Sequence, residues 1–211
     1  MKVQGNMKLT CFSATPAGFT MVELLISISI FILITAVVIL NFSSGKYRDE
    51  LTSAGSLVQS AVREAQTFTS AGSTAACPGL PVGTPQNGYG VYLDQPFGVA
   101  PEVIIFADCE STVSYLTYSA SDDALVRRVI LPPRVTFTTL GVTCLSSPCS
   151  TAVAPPPLHI VFSPVSETVA VNRTKDYNGE ALIKLTHDKS GRSVTLKINA
   201  YTGQVFLGPL Q

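Results

Sequence analysis

From Leu24 to Gly45 the chain runs for 22 residues without a charged side chain. Between Leu24 and Leu40 this run is apolar apart from small hydroxyls at Ser27, Ser29 and Thr35. About 20 apolar residues, each rising 1.5 Å in a helix, are enough to cross the hydrocarbon core of a bilayer. A secretory signal is the other reading, but its apolar region normally covers about 7–15 residues and ends at a small-x-small cleavage site. This run is longer, and no Ala-x-Ala follows Leu40. It therefore predicts a retained membrane helix, and no other segment of the 211 residues could span a membrane. The run also accounts for the positive mean hydropathy of +0.34. With 46% hydrophobic and 13% charged residues the chain is not an intrinsically disordered one. Fourteen basic residues balance fourteen acidic ones, so net charge alone argues for neither a nucleic acid nor an acidic substrate.

The leader before this run carries Lys2 and Lys8 and no acid. Positive charge is retained on the cytoplasmic side, so the bulk of the chain is expected outside. Glu23 is the anomaly, a carboxylate in the first turns of an otherwise uncharged helix. Acids at membrane depth are costly and are functional suspects. The plainer reading places Glu23 at the membrane edge, reaching the headgroups.

Beyond the run, apolar residues recur at Tyr47, Leu51, Ala54, Val58, Ala61, Ala65 and Phe68, a helical stripe with Arg48, Asp49, Glu50, Arg63 and Glu64 off it. This predicts the outer half of one long helix, interrupted at most near Gly45. A short independent coiled coil is the alternative, but the small residues Ala54, Ala61 and Ala65 favour packing on a sheet of the same chain. The helix is expected to stop at Ser70-Ala71-Gly72-Ser73. Strands are expected at Gly88–Leu93, Val103–Ala107, Val113–Tyr118, Leu125–Leu131, Val135–Leu140, Leu158–Ser163, Thr168–Val171, Ala181–Thr186, Ser193–Asn199 and Gln204–Leu207, each rich in β-branched and aromatic residues. Turns are expected at Lys189-Ser190-Gly191-Arg192 and Tyr201-Thr202-Gly203. The fold class is α+β, a long N-terminal helix followed by an antiparallel β-rich domain.

Gly18-Phe19-Thr20-x-x-Glu23-Leu24-Leu25, followed by an apolar run ending in Asn41-Phe42, resembles the class III signal of type IV pilins and type II secretion pseudopilins. The predicted architecture is similar to the pilin fold. Gly88-Tyr89-Gly90-Val91-Tyr92, Ile105-Phe106-Ala107-Asp108, Leu131-Pro132-Pro133-Arg134-Val135, Ile160-Val161-Phe162-Ser163-Pro164 and Gly191-Arg192…Asn199-x-x-Thr202-Gly203-Gln204-Val205 follow the order of the H-type minor pseudopilins and the FimT/FimU minor pilins. The resemblance implies cleavage by a prepilin peptidase after Gly18 and methylation of the new amino terminus at Phe19. It also implies a role for Glu23 in assembly, other pilin or pseudopilin subunits and the assembly platform as partners, and membrane lipid before assembly. Met1 and Met7 each offer a start, giving a leader of 18 or 12 residues. The implied organisation is a leader over 1–18, a membrane and assembly helix over 19–45, an amphipathic half over 46–72 and an extracytoplasmic domain over 73–211. Localisation would be single-pass in the cytoplasmic membrane, then in a fibre. Leu40 stands where many relatives have Pro, and Phe31 or Ile32 where many have Gly, which predicts a straighter helix that melts less easily.

Cys11 lies in the leader. Cys77, Cys109, Cys144 and Cys149 are expected outside, where disulfides persist. Four cysteines allow three pairings. Cys144 with Cys149 would close a small loop and leave Cys77 with Cys109; a zinc site is the rival, but only one pair is closely spaced. His159 and His187 read as structural or solvated. No nucleophile elbow or phosphate-binding glycine loop occurs, so neither an enzyme nor a cofactor is expected. Asp176-Tyr177-Asn178-Gly179-Glu180 lacks a full calcium-ligand run and reads as a polar turn, and Asn172-Arg173-Thr174 matches a glycosylation sequon, a pattern common by chance. Charge is uneven, with nine acids and one base over 49–123 against six bases and three acids over 172–211. Some FimT-like relatives capture DNA through C-terminal basic residues, which makes Arg173, Lys175, Lys184, Lys189, Arg192 and Lys197 a candidate phosphate-binding set. The second Arg expected two residues after Arg192 is absent, and six bases interleaved with acids also suit a solvated face.

Overall fold

The structure is a computed structural model that describes residues 18–95, 100–109, 116–144, 157–164, 169–171 and 179–211. Helix α1 covers Met21–Ser70. Among the described residues nine strands follow: β1 Gly88–Asp94, β2 Glu102–Asp108, β3 Ala124–Ile130, β4 Val135–Cys144, β5 Leu158–Phe162, β6 Val169–Val171, β7 Gly179–His187, β8 Ser193–Asn199 and β9 Val205–Leu207. The chain is α+β and divides into two compact units, Met1–Phe42 and Ser43–Gln211.

In the first unit, Met21–Ile39 is long and apolar enough to cross a membrane, and none of it is buried. Its few hydroxyls do not spoil that surface. Ser27, Ser29 and Thr35 each turn back and donate to the carbonyl four residues earlier, at 2.7–2.8 Å. Each O–H is thereby satisfied without water.

In the second unit the helical stripe is the core face. Leu51, Ala54, Val58, Ala61, Val62 and Ala65 are fully buried, joined by the partly buried Phe68. They share one hydrophobic core with Val91, Leu93, Ile105, Ile160, Ile183, Leu185, Leu196 and Ile198 from the strands. Full burial of each large aliphatic side chain stabilises the fold by about 1.5–3 kcal/mol. Small residues let the helix come close, as Gly55 shows: a Cβ there would lie 2.9 Å from Leu207 Cδ1. At that range Gln59 Nε2 donates to the Val205 carbonyl, and Gln66 Nε2 to the Gly203 carbonyl.

The strands form two antiparallel sheets, β3-β2-β1-β5-β6 and β4-β7-β8-β9. Strand β7 alternates buried and half-exposed residues along its whole length, the pattern of a sheet with one core face. The helix ends where its sequence says it should. Gly72 takes a φ of 59°, while Ser73 N–H bonds the Phe68 carbonyl and Gly72 N–H bonds that of Thr69. These are the two bonds of a Schellman cap.

One expected strand is corrected. Of Val113–Tyr118, residues 113–115 lie outside the described set, and 116–118 are not a strand. Leu116 has a φ of 65°, a left-handed conformation that costs a branched residue about 1–3 kcal/mol. Buried Asp108 offsets this by accepting the Leu116 N–H at 2.6 Å and the Asn87 amide at 3.0 Å. Asp123, also buried, accepts the N–H groups of Cys109 and Ser119. These two carboxylates shape the loop so that Leu116 caps a second, smaller core of Ile104, Phe106, Val161 and Ala170. At 116–118 the β propensity is overridden by these side-chain hydrogen bonds.

Cys77 and Cys109 are joined in a disulfide, 32 residues apart in sequence. Cys144 ends β4, while Cys149, Cys11 and most of the leader lie outside the described residues, as do Asn172-Arg173-Thr174 and residues 176–178 of the expected polar turn. Replacing both Cys77 and Cys109 by Ser is expected to lower stability by about 3–4 kcal/mol, from the loop-closure entropy of the unfolded chain. Denaturant unfolding of the detergent-solubilised protein measures this, and an unchanged midpoint contradicts it.

Candidate functional site

Gly18, Phe19 and Thr20 lead into α1 and are exposed, Phe19 at 79%. Thr20 caps the helix. Its Oγ1 accepts the Glu23 N–H at 3.3 Å, and its carbonyl accepts the Leu24 N–H at 3.2 Å. One of the unpaired donors of the first turn is thus satisfied. The spacing Thr20-x-x-Glu23 is that of a capping box, a sequence signal that identifies Thr20 as well as Glu23. Glu23 stands in the first turn, where a negative charge favours the helix dipole. It is exposed and has no ion pair among the described residues, amid exposed Met21, Val22, Leu24 and Leu25.

A second constellation ties α1 to the β7–β8 hairpin. His187 is fully buried. Its Nδ1 accepts the N–H groups of Lys189 and Ser190 at 3.2 and 3.3 Å. With Nδ1 occupied as an acceptor, the ring proton resides on Nε2, which donates to Glu50 Oε2 at 3.1 Å. Tyr47 lies against the imidazole with ring centroids 4.7 Å apart. The reading of His187 as structural is thereby given a definite partner, Glu50, which lies 137 residues away in sequence. His159, in β5, accepts the Tyr118 N–H on Nδ1 and packs against Tyr92. Burial raises the pKa of Tyr92 strongly, reinforced by its hydrogen bond to Asp94 and by the charges of Asp94 and Glu102. Tyr89 is also raised by burial.

The basic set is divided by the fold. Lys189 and Arg192 sit together in the hairpin turn, whose Gly191 has a φ of 65°. Lys197 lies five residues further along β8, about 17 Å at strand spacing, and pairs with Glu180 at 3.1 Å. Lys184, in β7, is half-exposed, and Arg173 and Lys175 lie outside the described residues. Among the described residues no group of three or more His, Cys, Asp or Glu side chains is placed to hold a metal. A groove of about 590 Å³ beside the end of α1 is lined by Gln66, Thr69, Ser70, Ser163 and Thr202 with Phe162 and Val169, and among the described residues no titratable side chain lines it.

Glu50→Ala is expected to cost about 1–3 kcal/mol, because it leaves the buried His187 Nε2–H without an acceptor. Chemical denaturation of the variant beside the parent measures the loss, with Glu50→Gln, which keeps an acceptor oxygen, losing less.

Comparison with protein-family models, with curated proteins and with solved structures finds no match to this chain.

Proposed function

We propose that this chain is a minor subunit of a type IV pilus or type II secretion pseudopilus. The observation that carries the reading is that α1 is one uninterrupted helix with two different surfaces. Its first part, Met21–Ile39, is apolar and wholly exposed, and its later part carries the core stripe of an antiparallel β-rich domain. The helix begins two residues after Gly18-Phe19, the register at which the resemblance implies cleavage by a prepilin peptidase. In this reading the leader with Lys2 and Lys8 stays in the cytoplasm, the domain lies outside, and methylated Phe19 becomes the amino terminus.

The helix then serves twice. In the bilayer its apolar surface faces lipid tails. In a fibre the same surface faces neighbouring helices, so the exchange has little hydrophobic driving force and direction must come from polar groups. Cleavage creates a cationic amine at Phe19, and methylation leaves it cationic. Glu23, about one helical turn on, is the carboxylate able to pair with the amine of an adjacent subunit and set the stagger. Capture of DNA is not adopted: Lys197 is already paired with Glu180 and stands apart from Lys189 and Arg192.

Amino-terminal sequencing of the mature protein from membranes is expected to begin at methylated Phe19. Any other start, or an uncleaved chain in cells with an active prepilin peptidase, removes the pilin reading. Glu23→Ala is expected to leave cleavage and membrane insertion intact while lowering incorporation into sheared fibres about tenfold or more, the scale of one lost buried charge pair. Normal incorporation returns Glu23 to the membrane-edge role.

A further inference from the structure

Among the described residues, Lys46, Arg127, Arg128 and Lys197 form ion pairs, with Glu50, Glu64, Glu102 and Glu180. Arg48, Arg134, Lys189 and Arg192 form none, and all four are exposed. These four converge on one end of the β-rich unit. His187 N–H bonds the Arg192 carbonyl, Asp188 N–H bonds the Arg134 carbonyl, and the imidazole between them rests on Tyr47, the neighbour of Arg48. Among the described residues the remaining cations without an ion pair, Arg63 and Lys184, stand elsewhere, on α1 and on β7. Of the acids at this end, Glu50 is engaged by His187 and Lys46, and Asp188 accepts the Thr136 hydroxyl. Asp49 is a further exposed carboxylate, beside Arg48 on α1, and Gln211 lies next to Arg192 through its two main-chain hydrogen bonds with Ser193. The surface is therefore an excess of unpartnered guanidinium and ammonium groups on a turn that a buried histidine holds rigid.

The chain itself says what lies near. Lys46 follows Ile39, the last residue of the apolar span, by seven residues, so even fully extended chain leaves the two no more than about 25 Å apart. Tyr47 and Glu50 clamp the hairpin to the same short stretch. Given the membrane reading proposed above, on which this rests, the cluster is tethered within reach of the lipid headgroups. We infer that Arg48, Arg134, Lys189 and Arg192 form a docking surface for anionic phospholipid headgroups, which holds the domain against the membrane before assembly. Tethering makes every encounter with headgroup phosphate intramolecular, an advantage that DNA in solution lacks. Basic residues near an anionic bilayer gain from its surface potential within about a Debye length, so the contact is salt-sensitive.

The test uses the full chain in nanodiscs of phosphatidylcholine alone or with phosphatidylglycerol, with amide hydrogen exchange followed across Asp188–Ser193. Phosphatidylglycerol at low salt is expected to slow exchange of the hairpin about threefold or more, and high salt to abolish the effect. The combined Arg134→Ser, Lys189→Ser and Arg192→Ser variant should lose the response, whereas Arg127→Ser with Arg128→Ser should keep it. Equal exchange in both lipids, or a response retained in the triple variant, overturns the inference while leaving the membrane reading standing, provided the chain stays in the discs. A chain that separates from the discs without detergent overturns both. Exchange slowed by added duplex DNA and not by phosphatidylglycerol assigns the cluster to nucleic acid instead and overturns the lipid assignment.

Discussion

One helix carries two kinds of surface on a single backbone, and the rest of the structure follows from how it does so. Along Met21–Ile39 every apolar side chain is exposed, an amount of contiguous apolar surface that water does not tolerate in a monomer. Along Leu51–Ala65 the apolar side chains occupy one face and the fold covers that face. No proline and no unpaired glycine turn marks the change. Leu40 and Gly45 lie within α1, and the helix continues through them. Uninterrupted backbone hydrogen bonding lets one element be apolar all round at one end and amphipathic at the other.

The β-rich unit is built around the demands of that helix. Close approach, set by Ala54, Gly55, Ala61 and Ala65, brings Gln59 and Gln66 to the carbonyls of Val205 and Gly203 beside the last hairpin. Thr69 Oγ1 accepts the Tyr89 N–H at the start of β1 and lies 3.2 Å from the Phe162 carbonyl at the end of β5. The Glu50–His187 bond does the same at the opposite end of the stripe. Polar contacts therefore sit at both ends of an apolar seam. They add specificity of position to burial, which has no direction of its own.

What was legible in the sequence was what depends on near neighbours. The stripe from Tyr47 to Phe68 follows from a 3.6-residue period, the stop at Gly72 from the cost of left-handed φ, and strand β8 from the alternation of Val194, Leu196 and Ile198. What was not legible depends on residues far apart. Nothing around Leu116 announces that Asp108 will take its amide in place of a strand partner. Nothing near His187 names Glu50. The disulfide stands between the two cases: four cysteines left three pairings open, and the short Cys144–Cys149 spacing offered the Cys77–Cys109 pair that is joined. Thr20 is a local feature left unread: its cap follows from the Thr20-x-x-Glu23 spacing, yet Thr20 enters the sequence reading only as part of the signal motif.

That capping role bears on how the exposed half can change partners. A helix terminus leaves its first N–H groups without intrahelical acceptors, and in lipid or in a bundle no water replaces them. Thr20 supplies one acceptor from within the chain, so the first turn is held together whichever neighbours surround it. The Glu23 main chain is used in that cap, while its carboxylate forms no ion pair among the described residues. The two functions of the residue are thus separated between backbone and side chain. Under the proposed role this separation matters: a carboxylate needed for its own helix end would have to break one contact to make another. Here the hydroxyl does the capping, and the charge remains available for a partner amine whose arrival relieves the cost of carrying it at membrane depth.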